Sequence, residues 1–207
     1  MSKNYLIITA AHLNSDRNSE YENCLKSILK FSSFFNKIFL LECVSKNIEE
    51  LEYLEKYDVE IIISDFDNSN PNYGISEFLH IDSFLKKSHE IKEEDNIVKL
   101  TVRYILKTDS FLKKIPFDKN ILAKLDGDIW DNITGNRNRG VHTFYIIFKK
   151  NVISNFISYI INNRLINSKD PIEWILKDYM SINNETFYDG ELGVETNFSS
   201  TGWRIIT

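Results

Sequence analysis

Only two cysteines occur in 207 residues, Cys24 and Cys43, and no histidine stands close to either. That excludes a zinc site and leaves two reduced, buried thiols, one in a helical pattern and one ending a strand pattern. Long hydrophobic runs are lacking as well: none approaches the roughly 20 residues of a membrane span. The opening Met-Ser-Lys-Asn leads straight into a short apolar run, Tyr5–Thr9, too short and too poorly flanked for a signal peptide. A cytoplasmic location is therefore expected. Positive charge is not in excess either, since 25 Lys and Arg against 30 Asp and Glu leave a net charge of −5. This argues against a general nucleic-acid binder and leaves room for a local basic pocket. Neither a linker nor an internal repeat interrupts the chain, which reads as one domain spanning residues 1–207. What is present is the balance of an ordinary globular protein, 43% hydrophobic and 27% charged.

The apolar pattern alternates strand and helix through the first half. Tyr5–Thr9 suits a buried strand, and the spacing of Tyr21, Leu25, Ile28, Leu29 and Phe31 predicts a helix from Glu20 to Phe35. Ser19 with Glu22 three residues on forms a capping-box pattern at its start. Lys37–Val44 and Val59–Ser64 read as strands, with a helix over Ile48–Tyr57 between them. Such alternation points to an α/β fold, a mostly parallel sheet with helices on both faces, the first half of a Rossmann-like nucleotide fold. A polar loop, Asp65–Asn72, leads into a helix over Ile75–Ser88, and Asn96–Leu106 is the most strand-like segment of all. Further on, Ile121–Leu125 and Val141–Phe148 read as strands and Val152–Ile166 and Pro171–Met180 as helices, with Asp126–Gly140 a polar loop.

In parallel α/β sheets, ligands bind beyond the carboxyl ends of the strands. After the first strand, Arg17 precedes a helix start, where it can meet an anion beside free backbone N–H groups; a solvated, capped loop is the other reading. After the third strand, Gly74 permits close ligand approach, and Glu77 either accepts a ligand hydroxyl or opposes the helix dipole. The strand from Val98 to Tyr104 alternates, so Lys99, Thr101 and Arg103 share one face. On a central strand two such cations are costly unless an anion meets them; on an edge strand they are solvated charges. The central placement is the one adopted. Asp126-Gly127-Asp128 and Asp65-Phe66-Asp67 could hold a divalent ion, or simply form turns. Trp130 and Trp174 fit either sugar stacking or core packing. His12 and His142 read as structural.

These elements, taken in order, resemble a known group. Asp-Arg-Asn and Glu-Tyr follow the first strand and Leu-Glu-Cys the second; Asn-x-Gly-Ile-x-Glu opens a helix, and Lys-Leu-Thr-x-Arg-Tyr lies on a strand. The set is similar to small GT-A-like glycosyltransferases of bacterial surface-polysaccharide clusters and large DNA viruses, over residues 5–150. Two positions depart from it: Tyr73 stands where the group has Lys, and Val102 where it has Gly. The resemblance implies a GT-A-type fold, with a nucleotide-binding half over about 1–106 and an acceptor-side half over about 107–207. It implies transfer of a sugar from a nucleotide sugar to a glycan or glycoconjugate, in the host cytoplasm if the source is viral. Arg17, Asn72, Gly74, Glu77, Lys99, Thr101, Arg103 and Tyr104 would line the donor pocket, joined by Thr9 and Asp126. Arg17, Lys99 and Arg103 would stabilise the departing diphosphate in place of a metal, with Asp128 as a further catalytic group. No cofactor is then required; Mn²⁺ or Mg²⁺ would use Asp126 and Asp128. Glu191 and Glu195, in a glycine-punctuated acidic loop, are the acceptor-side expectation. The acceptor base is left open among Asp126, Asp128, Glu173, Glu191 and Glu195. The alternatives are a metal-dependent nucleotidyl- or phosphotransferase built on Asp65, Asp67, Asp126 and Asp128, and a nucleotide-binding module without turnover.

Overall fold

In a computed structural model of the chain, residues 2–11, 17–67, 69–115, 118–125, 140–198 and 203–206 are described. The first half runs β1 (Asn4–Ala10), α1 (Asn18–Ile28), β2 (Lys37–Glu42), β3 (Glu60–Ile63), α2 (Tyr73–Lys87) and β4 (Asn96–Thr101). The second half adds β5 (Tyr104–Leu106), β6 (Ile121–Lys124), β7 (Tyr145–Lys149), α3 (Lys150–Asn162) and α4 (Ile172–Ile182). It ends with β8 (Thr186–Tyr188), β9 (Val194–Phe198) and β10 (Trp203–Ile206).

Seven strands form one sheet in the order β3-β2-β1-β4-β7-β6-β8. The first four are parallel. β7 runs antiparallel to β4 and β6, and β8 runs parallel to β6. Helices cover both faces, and the central strands β1, β2 and β4 bury both of their sides. Tyr5 and Ile7 of β1 pack with α2, α3 and α4, while Leu6, Ile8 and Ala10 pack with α1. That two-sided burial is why these strands read as continuous apolar runs. Each fully buried large side chain contributes about 1.5–3 kcal/mol. The fold is the mostly parallel, Rossmann-like α/β sheet that the sequence pattern predicts.

Several local expectations change. Asn96–Leu106 is not one strand: the chain turns at Val102–Arg103, and β5 joins β9 and β10 in a separate antiparallel sheet. The alternation continues through the turn because Val102, at 2% exposure, still packs into the α1-side core. The Ser19–Glu22 capping box does not form. Arg17 is the N-cap, without a side-chain cap bond, and the Glu22 carboxylate is held by Lys26 and Lys56 instead. α1 stops at Ile28 and passes into a 3-10 helix, and the predicted helix over Ile48–Tyr57 is a 3-10 helix over Ile48–Leu54. The strand predicted from Val141 begins at Tyr145, with Val141 making one isolated bridge to Leu125. Residues 126–139, which carry Asp126, Asp128 and Trp130, lie outside the described residues, as does His12.

Candidate functional site

A cleft of about 640 Å³ opens at the carboxyl ends of β1, β2 and β4, where the topology rule for such sheets places ligands. Its floor is a hydrogen-bonded cluster. Glu77, one turn into α2, accepts at a single oxygen, Oε1, from the Thr9 hydroxyl, from Thr101 Oγ1 at 3.2 Å and from Lys99 Nζ at 2.9 Å. Lys99 also donates to Thr101 Oγ1 at 3.0 Å and to the Thr143 carbonyl at 2.6 Å, which uses all three of its protons. Its side chain is fully buried, whereas that of Glu77 is 21% exposed toward the cleft.

The walls are set by residues near the strand ends. Glu42, the buried last residue of β2, accepts from the N–H groups of Val44 and Ser45 at 2.8 and 2.9 Å and from the Tyr21 hydroxyl at 2.8 Å. These bonds fold the following loop so that Cys43 and Val44 face the cleft. Burial, with the Glu42 carboxylate beside it, pushes the Tyr21 hydroxyl pKa up, so it stays a donor. Burial likewise pushes the thiols of Cys24 and Cys43 up. Both therefore remain protonated and unreactive. On another wall, Tyr104 and Phe144 stack in parallel, with ring centroids 3.9 Å apart. His142, beside Phe144, has its pKa pushed down to about 4 by burial and by Lys124, so its ring is neutral. His80 also lines the cleft; its Nδ1 shares a 2.6 Å hydrogen bond with Ser64 Oγ, and burial, then Lys46, lowers its pKa.

The rim is built where two helix starts meet. Asn72 caps α2, its Oδ1 accepting from the N–H groups of Gly74 and Ile75, while its Nδ2 donates to the Ser168 and Asp170 carbonyls ahead of α4. Gly74 is required by contact: a Cβ there would lie 2.4 Å from Ile172 Cγ2. The start of α2 is thus seated directly on the start of α4. Glu173, in the first turn of α4, accepts from Thr143 Oγ1 at 3.1 Å. Tyr73 stands beside this junction at 84% exposure.

Of the predicted residues, Thr9, Arg17, Gly74, Glu77, Thr101, Arg103 and Tyr104 come together as lining of this one cleft. Arg17 donates to the Ala11 carbonyl at 2.9 Å, and Arg103 is exposed. Asn72 sits just behind the lining as the helix cap. Lys99 is placed differently from the expectation that it faces a ligand alongside Arg103. β4 ends before Arg103, and the anion that meets the Lys99 cation is Glu77 of the protein itself. Glu191 and Glu195 are not among the cleft residues. Glu195 pairs with Lys107 at 2.6 Å, and the Glu191 carbonyl accepts from Ser110 and Tyr188. Of the five carboxylates weighed as a base, Glu173 is the one the described cleft contains. Among the described residues no group of three His, Cys, Asp or Glu could hold a metal, and Asp126 and Asp128 lie outside them. Asp65 is engaged by Lys87. No described helix is long and apolar enough to cross a membrane.

Sequence reasoning quoted Glu42 only within Leu-Glu-Cys and gave no site role to it or to His80, Thr143 and Phe144. A charge ending an otherwise apolar strand, Leu40-Leu41-Glu42, was the signal for the first. The others carry no local mark, because long-range pairing alone brings them to the cleft.

No protein-family model matches the chain, and no curated protein matches it by sequence. Solved structures do match in shape. A 4-diphosphocytidyl-2C-methyl-D-erythritol synthase from Anaerococcus prevotii is 17% identical, over 100% of this chain and 93% of that one, with a TM-score of 0.57. The glycosyltransferase GlyE of Streptococcus pneumoniae is 13% identical over 91% of this chain and 45% of its own, with a TM-score of 0.53. The galactosyltransferase LgtC, solved with donor and acceptor sugar analogues, is 11% identical over 84% of this chain and 70% of its own, with a TM-score of 0.52. The strand order, the flanking helices and these likenesses together establish a GT-A-like, Rossmann-type α/β fold.

Proposed function

We propose that the chain is a glycosyltransferase that moves a sugar from a nucleotide-sugar donor to a glycan or glycoconjugate acceptor. The observation that carries this reading is the assembly of one cleft at the strand ends that holds two guanidinium groups, Arg17 and Arg103, and two carboxylates, Glu77 and Glu173. The guanidinium groups suit a diphosphate, which they bind through charge-assisted, often bidentate hydrogen bonds. In the reaction, the bond between the sugar's anomeric carbon and the phosphate oxygen breaks, and its electron pair leaves with the diphosphate. Arg17 and Arg103 stabilise that developing charge. The acceptor hydroxyl oxygen bonds to the anomeric carbon and gives its proton to Glu173, which Thr143 holds in place. Glu77, fixed at Oε1 by three donors, offers the rest of its carboxylate to a donor hydroxyl. Lys99 acts through Glu77 as a positioning residue. No metal is required in this reading.

The test is a thermal-shift and transfer screen of nucleotide sugars, each with a chelator and with added Mn²⁺ or Mg²⁺. The expected result is stabilisation by a nucleoside diphosphate sugar that persists in chelator, since ligand binding to the folded state raises its stability. Glu173→Gln is expected to lower the transfer rate by about 10²–10⁴-fold, the usual contribution of a general base. Release of pyrophosphate from a nucleoside triphosphate, or an absolute metal requirement, would replace this reading with nucleotidyl transfer or with metal-assisted chemistry.

A further inference from the structure

The rim holds one side chain that the transfer chemistry above does not use. Tyr73, at 84% exposure, is an uncovered aromatic on the lining of the cleft. Its backbone is held from two sides. The Asn72 side chain ties the α2 start to Ser168 and Asp170, and Gly74 leaves no space between that turn and Ile172. The residue before Gly74 is Tyr73 and the residue after Ile172 is Glu173, so these two residues adjoin the same contact between two helices. An exposed aromatic adds no core packing, yet this one is presented from a rigid base on the lining of the same cleft as the Glu173 carboxylate, which accepts from the Thr143 hydroxyl.

That combination has a specific chemical complement. A pyranose ring has an apolar C–H face that packs on an aromatic ring, and hydroxyls that bond to carboxylate and hydroxyl groups. We infer that Tyr73 is the stacking platform of the acceptor subsite, holding the acceptor saccharide so that its reacting hydroxyl lies at Glu173. This rests on the glycosyltransferase reading and adds to it where the acceptor binds. The same cleft is also lined by Cys43 and Val44, in the loop after β2.

The test compares the full chain with Tyr73→Ala and Tyr73→Trp. UDP, GDP, CDP and ADP are titrated by calorimetry, and nitrophenyl pyranosides are followed by saturation-transfer NMR and used as acceptors with the donor found in the screen. The expected result is saturation of the pyranoside ring C–H protons by the wild type, lost in Tyr73→Ala and kept in Tyr73→Trp. The acceptor KM rises about tenfold in Tyr73→Ala with little change in kcat, the size expected of one aromatic contact. Nucleoside diphosphate affinity stays within about twofold. A fall of about tenfold or more in nucleotide affinity would show that the ring stacks on the base and would overturn the inference. So would an unchanged acceptor KM, or a wild type that saturates no pyranoside. Failure of the wild type to bind any nucleoside diphosphate would instead strike the glycosyltransferase reading, and the NMR arm separates the two.

Discussion

The floor and the rim of the cleft use similar side chains in opposite ways. On the floor, Lys99 is fully buried and all its protons are taken by Glu77, Thr101 and Thr143. On the rim, Arg103 and Tyr73 are exposed, and Glu173 is half-buried and accepts from Thr143. A cation in the middle of a sheet is tolerable only with an anion against it, so the floor pair is an internal commitment of the fold. The rim charges stand in a higher dielectric and cost little to leave in water. The lesson is that the position of a charge along the strand, more than its sign, decides whether it serves the scaffold or the ligand.

The sharpest way to break that contrast is at the floor. Lys99→Met leaves the Glu77 carboxylate without its partner and is expected to cost about 3–5 kcal/mol, toward the lower end because Glu77 keeps some exposure. Adding Glu77→Gln to Lys99→Met removes the orphaned charge, so the double variant should be the more stable of the two in urea unfolding. A double variant as unstable as the sum of the singles would mean that the pair is not coupled.

The next effect comes from His142, buried on the wall. Its pKa in the folded chain, about 4, lies below the ordinary histidine value of 6.5, so the unfolded chain binds the proton first as pH falls. Stability is therefore expected to be full above about pH 6.5, to decline between about pH 6.5 and 4 by up to about 3 kcal/mol, and to level off below. His142→Phe should flatten that part of the stability profile, measured by unfolding across pH. A slope unchanged in the variant would assign it to carboxylates instead.

The smallest effect belongs to the rim. Arg103→Ala should weaken nucleoside diphosphate binding by about 1–3 kcal/mol while leaving the urea midpoint close to that of the wild type. The opposite pattern, lost stability with unchanged affinity, would make Arg103 part of the scaffold and erase the distinction drawn between the two regions.

Much of the floor was legible as a set of residues but not as a set of roles. The alternation of Val98, Leu100 and Val102 against Lys99, Thr101 and Arg103 marked a strand near the middle of the sheet, and β4 does lie between β1 and β7. The same alternation hid the turn at Val102–Arg103, because a buried Val satisfies a period of two whether or not the strand continues. Glu77 was visible as a helix-start carboxylate, but its distance from Lys99 depends on how α2 packs across the sheet. The strands β8, β9 and β10 were not foreseen. β8 is three residues long, and β9 pairs with β10 on one side and on the other with β5, which lies far from it in sequence.

By itself the sequence determined the class of the fold. Apolar runs buried on both sides and separated by amphipathic helices admit little other than a parallel sheet covered on both faces. It also named Thr9, Arg17, Gly74, Glu77, Thr101, Arg103 and Tyr104 among the residues that line the cleft, because strand ends and helix starts are local features. Only the tertiary structure decided that Lys99 answers to Glu77, that Gly74 presses α2 against α4, and that Glu173 and Tyr73 share the rim while Glu191 and Glu195 do not. Those are distances between segments up to about a hundred residues apart, and they follow from packing the two faces of one sheet.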